Sequence, residues 1–512
     1  MKIAIFGLPA SGKGTQAQFI ENQYNIPQLS TGDMLRRLAK EDETDLGDRI
    51  RAVPTGHFAD DDLILTAIKK ELELPLYKHG VLFDGFPRTE QQAKKMIEMD
   101  IIPDAVVFLK SDEAVLRERA VNRRIHQASG RIYNLISNPP KVDGLDDITK
   151  EPLTHRDDDK PEYLDKRFND FNQKTMPAYS LLKALCKYGS GPVLVEINGM
   201  QERNKVSHDL LIGINSAKAI LKIRQNHEFV MIQSPYDGKD LKEQETYTRA
   251  AMHQSLMQGE IPFASHLLYS QPNILDYNNE KHRELSREIN KQLINRFDKV
   301  VIYTTDSLVD KENAIERRMN GKYYFLDHDT NEALNYAVKI KKPVEIRNLD
   351  SLEIHKRATD QLSVNLDIGS QPDIDSLIHK IKHNPQLVIV ESPYAGTPEE
   401  IKRNEYYARS AIKDCLNQGE IPFASHLLYT QTGILDDKQS AQRRLGIEAG
   451  LIMGTLCQKS ALYKDLGMTI GMEEGIDRAG LAGRSVEIRE IPEFKDAYEA
   501  GLSQGHTRKL KP

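Results

Sequence analysis

The first apolar run, Lys2 to Phe6, ends at a glycine-rich turn and predicts a strand; Gln16 to Glu21 after the turn reads as a helix. Strand-like and helix-like stretches then alternate to about Lys222. Two further apolar strands, Phe229 to Ile232 and Leu387 to Val390, each lead into a turn and a helix-like stretch. KVVIYTT from Lys299 adds another strand. Strands alternating with helices predict parallel, layered α/β sheets.

The last two blocks are copies of each other. One carries SPYDG at Ser234 to Gly238, GEIPFASHLLYSQ at Gly259 to Gln271 and ILD from Ile274. The other carries SPYAG at Ser392 to Gly396, GEIPFASHLLYTQ at Gly419 to Gln431 and ILD from Ile434. PVEIRNL from Pro343 and SVEIREI from Ser485 correspond as well. The expected organisation is a first domain over 1–222, one repeat over 227–350 and a polar linker over 351–384. A short helix is expected in that linker around Ile374 to Ile381. The second repeat follows over 385–495, with a tail over 496–512.

A length of 512 residues exceeds what one core supports and suggests about three domains. Apolar residues at 39% and charged residues at 29% fit a folded chain, and a net charge of -6 disfavours a nucleic-acid partner. Three scattered cysteines with no CxxC pair indicate free thiols. The N-terminus enters a strand directly, without a signal-peptide core. No apolar run approaches the ~18 residues of a membrane helix, so the expectation is a soluble, cytoplasmic protein with no membrane partner.

Chemistry concentrates at Gly7-Leu-Pro9-Ala10-Ser11-Gly12-Lys13-Gly14-Thr15, which fits GxxxxGK[ST] except that Gly14 stands before the hydroxyl residue. Such a loop turns backbone N–H groups onto a phosphate at the start of a helix. Lys13 would reach the β and γ phosphates, and Thr15 would lie near the metal or a phosphate oxygen. Together with LSTGDMLR at Leu29 to Arg36 and FDGFPRTEQQ at Phe83 to Gln92, the loop resembles adenylate kinase over residues 1 to about 220. The implied fold is a P-loop kinase domain with a nucleotide-monophosphate clamp at about 30–60 and a lid at about 123–160. The two repeats after it read as Rossmann-like.

The resemblance implies Mg²⁺-dependent phosphoryl transfer between ATP and AMP, giving ADP. It assigns Lys13, Asp84, Arg88, Arg123, Arg156 and Arg167 to catalysis. ATP is expected on Gly7 and Pro9 to Thr15 together with Arg119, Arg123 and Tyr133. AMP is expected on Thr31, Gly32, Arg36, Ala59, Gly85, Arg88, Gln92, Arg156 and Arg167. Metal-bound waters are expected at Thr15, Asp33 and Asp84. Arginine suits this work because its planar fork holds two phosphate oxygens at once. Thr31 and Gln92 point to adenine, because a glutamine amide matches the N1/N6 edge; UMP or CMP remain the alternative acceptors. In the lid, His126, Ser129, Asp146 and Thr149 stand where many relatives carry four zinc cysteines. That set implies a hydrogen-bonded lid without zinc, since serine and threonine are poor zinc ligands.

SPYAG, IPFASHLLY and GMEEGIDRA at Gly471 to Ala479 resemble an uncharacterised bacterial and phage domain related to the nucleoside 2-deoxyribosyltransferase superfamily. That implies a glutamate attacking a sugar carbon, with Glu474 the nearest match although Gly475 holds the expected position. Tyr394, His426 and Asp436, which recur as Tyr236, His266 and Asp276, are the other candidates. The first repeat, with Glu332 opposite Glu474 and no GM turn, reads as degenerate. An N-glycosidic enzyme and a non-catalytic nucleotide-binding module both fit these repeats. Arg443, Arg444 and Glu448 read as a solvated ion-pair face.

Overall fold

In the computed structural model, β1 (Lys2–Gly7) is the buried centre of a parallel sheet; Ile3 to Phe6 are at most 3% exposed. The structure describes residues 1–53, 60–129, 131–155, 161–186, 191–236, 241–304, 314–319, 322–349, 373–496 and 498. Contacts divide the chain into two compact units: Met1–Ala217 with Gln439–Ala441, and Lys218–Lys438 with Gln442–Pro512.

In the first unit β1 leads into α1 (Lys13–Tyr24), then β2 (Gln28–Ser30), α2 (Thr31–Glu41), α3 (Asp45–Arg51) and α4 (Asp61–Leu72). β3 (Val81–Asp84), α5 (Glu90–Glu98), β4 (Ala105–Lys110) and α6 (Glu113–Val121) follow. A hairpin of β5 (Arg123–Ile125) and β6 (Ile132–Asn134) precedes α7 (Pro161–Asp170), α8 (Met176–Leu185), β7 (Val193–Asn198) and the long α9 (Arg203–Gln225). The sheet order is β2-β3-β1-β4-β7, parallel throughout. Local chemistry sets the helix starts. Asp60 caps α4 by accepting from Leu63 N, Thr89 caps α5 by accepting from Gln92 N, and Asp112 caps α6. Acids in the first turn of α4 and lysines in its last complement the helix dipole.

The second unit holds both repeats. The first runs β8 (Phe229–Gln233), α10 (Leu241–Met257), β9 (Ile261–Phe263), α11 (Ser265–Tyr269), α12 (Glu280–Arg296) and β10 (Lys299–Tyr303). An antiparallel hairpin, β11 (Ile315–Met319) and β12 (Lys322–Leu326), precedes α13 (His328–Lys339) and β13 (Val344–Arg347). After α14 (Ile374–His383), the helix foreseen in the polar stretch, the second repeat runs β14 (Leu387–Glu391), α15 (Pro398–Asn417), β15 (Ile421–Phe423) and α16 (Ser425–Leu428). It ends with α17 (Ser440–Met453), β16 (Lys459–Tyr463), α18 (Ile470–Leu481) and β17 (Ser485–Arg489). The sheets β9-β8-β10-β13 and β15-β14-β16-β17 have the same strand order and are parallel. In each, the strand order reverses between the first strand and its two neighbours, and open parallel α/β sheets bind ligands outside the carboxyl ends of the strands at such a point.

The repeated sequence motifs acquire structural roles. Arg347 of PVEIR forks onto Glu260 of GEIPF at 2.6 and 2.8 Å, and Arg489 of SVEIR forks onto Glu420 at 2.7 and 2.8 Å. The segments after GEIPF face each other across the repeats. Phe263 and Phe423 pack with ring centroids 5.9 Å apart. Gln271 Nε2 donates to the Leu427 carbonyl at 3.1 Å, while Gln431 Nε2 donates to that of Leu267 at 3.0 Å. Arg249 Nε donates to Gln431 and Arg409 Nε to Gln271, each at 3.2 Å. Such reciprocity is that of a two-fold, self-complementary interface. Arg444 and Glu448 depart from the solvated pair expected of them. Glu448 is only 4% exposed and accepts from both Arg444 and Arg224 at 2.7 Å, because α17 turns this face inward.

Candidate functional site

The phosphate loop follows from β1 stopping at Gly7 and α1 starting at Lys13. Ala10 and Gly12 both take left-handed backbone, with φ of 62° and 91°, which turns the chain sharply into the helix. Ser11 is buried, and among the described residues its Oγ has no hydrogen-bond partner. Gly14 and Thr15 lie in the first turn of α1, while Pro9 lies in the loop before it. Lys13 Nζ arches back to donate to the Gly7 carbonyl and to that of Leu8 at 3.0 Å. Burial lowers the Lys13 ammonium to about 8; Arg167, Arg88 and Arg123 push the same way and Asp84 opposes them. Lysine, carboxylate and three arginines from separate elements therefore share one electrostatic neighbourhood.

Sheet register explains the carboxylate. Asp84, the last residue of β3, pairs with Ile5 of β1 on one side and Ser30 of β2 on the other. Gln28 Nε2 donates to its Oδ2 at 2.7 Å. Gln28 escaped the sequence reading; its only signal was its place immediately before LSTGD. Beyond Asp84 the chain turns at Gly85, whose φ of 79° suits glycine. A Cβ there would also lie 2.7 Å from Arg88 Nη2, so the arginine can cross the turn only because glycine leaves room. Arg88 Nε donates to the Gly85 carbonyl at 2.9 Å, and Thr31 Oγ1 donates to the same oxygen at 3.1 Å. Burial first, then Arg167, lowers the Arg88 guanidinium, with Asp84 opposing.

Arg36 and Gly32 lie on α2, and a Cβ on Gly32 would approach Arg36 Nη1 to 3.3 Å. Gln92 is engaged at both ends, by Arg88 N and by the Asp61 carboxylate, each at 2.7 Å. Asp61 too was missed by the sequence reading. Arg119 on α6 donates to the Gly199 carbonyl at 3.3 Å. Arg123 opens β5 and Arg167 lies on α7. A π-helical turn, Phe171–Thr175, carries the chain from α7 to α8, and Thr175 Oγ1 donates to the Arg88 carbonyl at 3.1 Å. Ala59, Arg156 and the side chain of Asp33 lie outside the described residues.

In the lid the four cysteine-replacing residues meet. His126 Nδ1 pairs with Ser129 Oγ at 2.7 Å, and its Nε2 lies 3.2 Å from Thr149 Oγ1. Asp146, fully buried, takes a two-point contact from Arg131 at 2.6 and 2.7 Å and further bonds from Tyr133, Thr149 and Ile148. Tyr133, expected at ATP, is 6% exposed, and its hydroxyl serves this network.

In the second repeat Ser392 Oγ pairs with His426 Nε2 at 2.9 Å, and the Tyr394 ring lies 5.7 Å from the imidazole. Burial lowers His426 to about 4, so it is neutral at pH 7. Asp436 is a turn residue: its Oδ1 accepts from Lys438 N at 3.0 Å. Glu474 lies 3.6 Å from Arg444. Glu391, at the end of β14, was not foreseen. Burial raises its carboxyl to about 8, Arg484 opposing and Glu474 adding. A Cβ on Gly475 would lie 2.5 Å from it, so the glycine makes room for this carboxyl. The first repeat has Gln233 and Ala333 at those two places. That difference just before SPYAG was a legible signal.

Among the described residues no helix is long and apolar enough to cross a membrane, and no group of three or more His, Cys, Asp or Glu is arranged to hold a metal ion. Residues 228–319 and 386–489 match one family model, a domain of unknown function (DUF7768), in agreement with the duplication. Residues 5–185 match the adenylate kinase family, so the N-terminal segment of this chain is a nucleotide-binding phosphotransferase domain of the nucleoside monophosphate kinase kind.

Proposed function

We propose that the N-terminal segment catalyses the reversible reaction ATP + AMP ⇌ 2 ADP with Mg²⁺. What supports this reading is the shared electrostatic influence of Asp84, Arg88, Arg123 and Arg167 on Lys13 of the phosphate loop. Transfer between two polyanions demands neutralised charge and in-line alignment more than covalent catalysis. The loop N–H groups and Lys13 hold the ATP phosphates. Arg36 and Arg88 hold the AMP phosphate, one oxygen of which attacks the γ-phosphorus as the bond to the β–γ bridging oxygen breaks. Arg123, Arg156 and Arg167 meet the charge that develops, and Arg119 lies on the donor side. Thr15 and Asp84 offer the hard oxygen donors that suit Mg²⁺, directly or through water. A Mg²⁺ ion held there would supply charge neutralisation to the phosphate oxygens. Gln92 and Thr31 read the adenine edge. Lid closure excludes water and limits hydrolysis of ATP. Initial rates with AMP, UMP and CMP as acceptors test the reading; a preference for UMP or CMP would replace AMP as the acceptor.

A second activity is proposed for the second repeat, on the strength of Glu391. A carboxyl protonated at pH 7 beside Glu474 forms an acid and nucleophile pair. In this reading Glu474 attacks the sugar carbon of a nucleoside or nucleotide while Glu391 protonates the departing base. Water or another base then releases the sugar. Chromatography for free base, with Glu391→Gln and Glu474→Gln as controls, decides the matter. No base from any nucleoside or nucleotide would leave the repeats as a binding module.

A further inference from the structure

Asp61, the first residue of α4, holds two side chains at the start of α5. Its Oδ1 accepts from Gln92 Nε2 at 2.7 Å, and its Oδ2 accepts from the Thr89 hydroxyl at 2.9 Å. The other end of the Gln92 amide accepts from Arg88 N–H at 2.7 Å. A carboxylate only accepts and a backbone N–H only donates, so these two partners dictate which end of the amide is nitrogen and which is oxygen. Turning the amide over would set Oε1 against the Asp61 carboxylate and Nε2 against the Arg88 N–H. Both contacts would be repulsive, at a side chain only 2% exposed.

Held this way, the amide keeps one Nε2 hydrogen and one Oε1 lone pair for a ligand. A 6-amino purine presents the N1 acceptor and the N6 donor, which meet that hydrogen and that lone pair. A 6-oxo purine presents N1–H and O6, the reverse order, and would need the amide turned over. We propose that Asp61 is a specificity-determining positioning residue, locking Gln92 in the orientation that takes a 6-amino purine and refuses a 6-oxo purine. The inference rests on AMP as acceptor and on Gln92 as its base contact.

The test uses the full chain with ATP and either AMP or inosine monophosphate, whose bases differ at the edge in question. Wild type should favour AMP. Asp61→Asn presents a donor or an acceptor at will and so removes one of the two contacts that oppose turning, leaving only the Arg88 N–H, and the AMP:IMP ratio of kcat/KM should fall about tenfold. In a Gln92→Ala background the same substitution should leave the ratio unchanged, whereas a merely structural role would persist there. Asp61→Ser, which also removes the acceptor-only group, gives the same reading if the asparagine variant fails to fold. A ratio within about twofold of wild type in the Asp61 variants, or a wild type that takes both acceptors alike, would overturn this inference alone. A wild type that forms no ADP from AMP would overturn the acceptor reading, and this inference with it.

Discussion

Tyr269 and Tyr429 exchange hydrogen bonds across the two repeats: Tyr269 donates to the Pro422 carbonyl at 2.9 Å and Tyr429 to the Pro262 carbonyl at 3.0 Å. Each hydroxyl meets the carbonyl of the proline in the partner repeat's own IPF strand. Both rings are almost fully buried, at 0% and 1% exposed. The long agreement between the copies is therefore an interface as much as a common ancestry. Through PFASHLLY each copy packs on the other.

Removing either hydroxyl strands a buried carbonyl. Tyr269→Phe and Tyr429→Phe should each lower stability by about 1–2 kcal/mol, and by similar amounts. Urea unfolding of the full chain, followed at the second unit, checks this. A large effect from one and none from the other would contradict the two-fold reading.

Lys13 carries a pH dependence of definite sign. Burial holds its ammonium at about 8 rather than 10.5, while bound polyphosphate favours the cation. ATP binding should take up protons above about pH 8, and affinity should fall as pH rises through that value. Calorimetry in buffers of different ionisation enthalpy measures the uptake. Lys13→Ala should remove it and cost on the order of 100- to 1,000-fold in turnover.

Glu391 makes a prediction of the same sign, for stability. Its folded value, about 8, lies above the ordinary 4.5, so ionising it opposes folding. The contribution of the neutral acid is fully present below pH 4.5 and is lost as pH rises through 8. Glu391→Gln should therefore stabilise the second unit, by a margin that grows from pH 5 to about 8 and is then constant. Thermal unfolding across that range checks it; a margin independent of pH would contradict the assignment.

In the lid, Asp146→Asn leaves Arg131 without its anion inside a packed network. Local stability should fall, read as earlier proteolytic cleavage within residues 123–155 and a higher KM for ATP. Unchanged cleavage would show that the lid is held elsewhere.

The motifs of the candidate site were legible because their chemistry is local. The phosphate loop, LSTGD and FDGFPR each bring backbone and side chain together within a few residues, and the order of strands does the rest. What stayed hidden depends on distance along the chain. Gln28 reaches Asp84 across 56 positions and Asp61 reaches Gln92 across 31, with no spacing rule to announce either. Glu448 looked solvated because its second arginine, Arg224, lies 224 positions away. Helical spacing alone shows which residues share a face, and not what that face meets.

The most direct test of the central claim mixes the purified chain with ATP, AMP and Mg²⁺ and follows nucleotides by chromatography, beside Arg88→Ala. The account predicts two ADP for each AMP consumed, and a loss on the order of 100-fold or more in the variant. No ADP from the wild type, or undiminished ADP from Arg88→Ala, would contradict it.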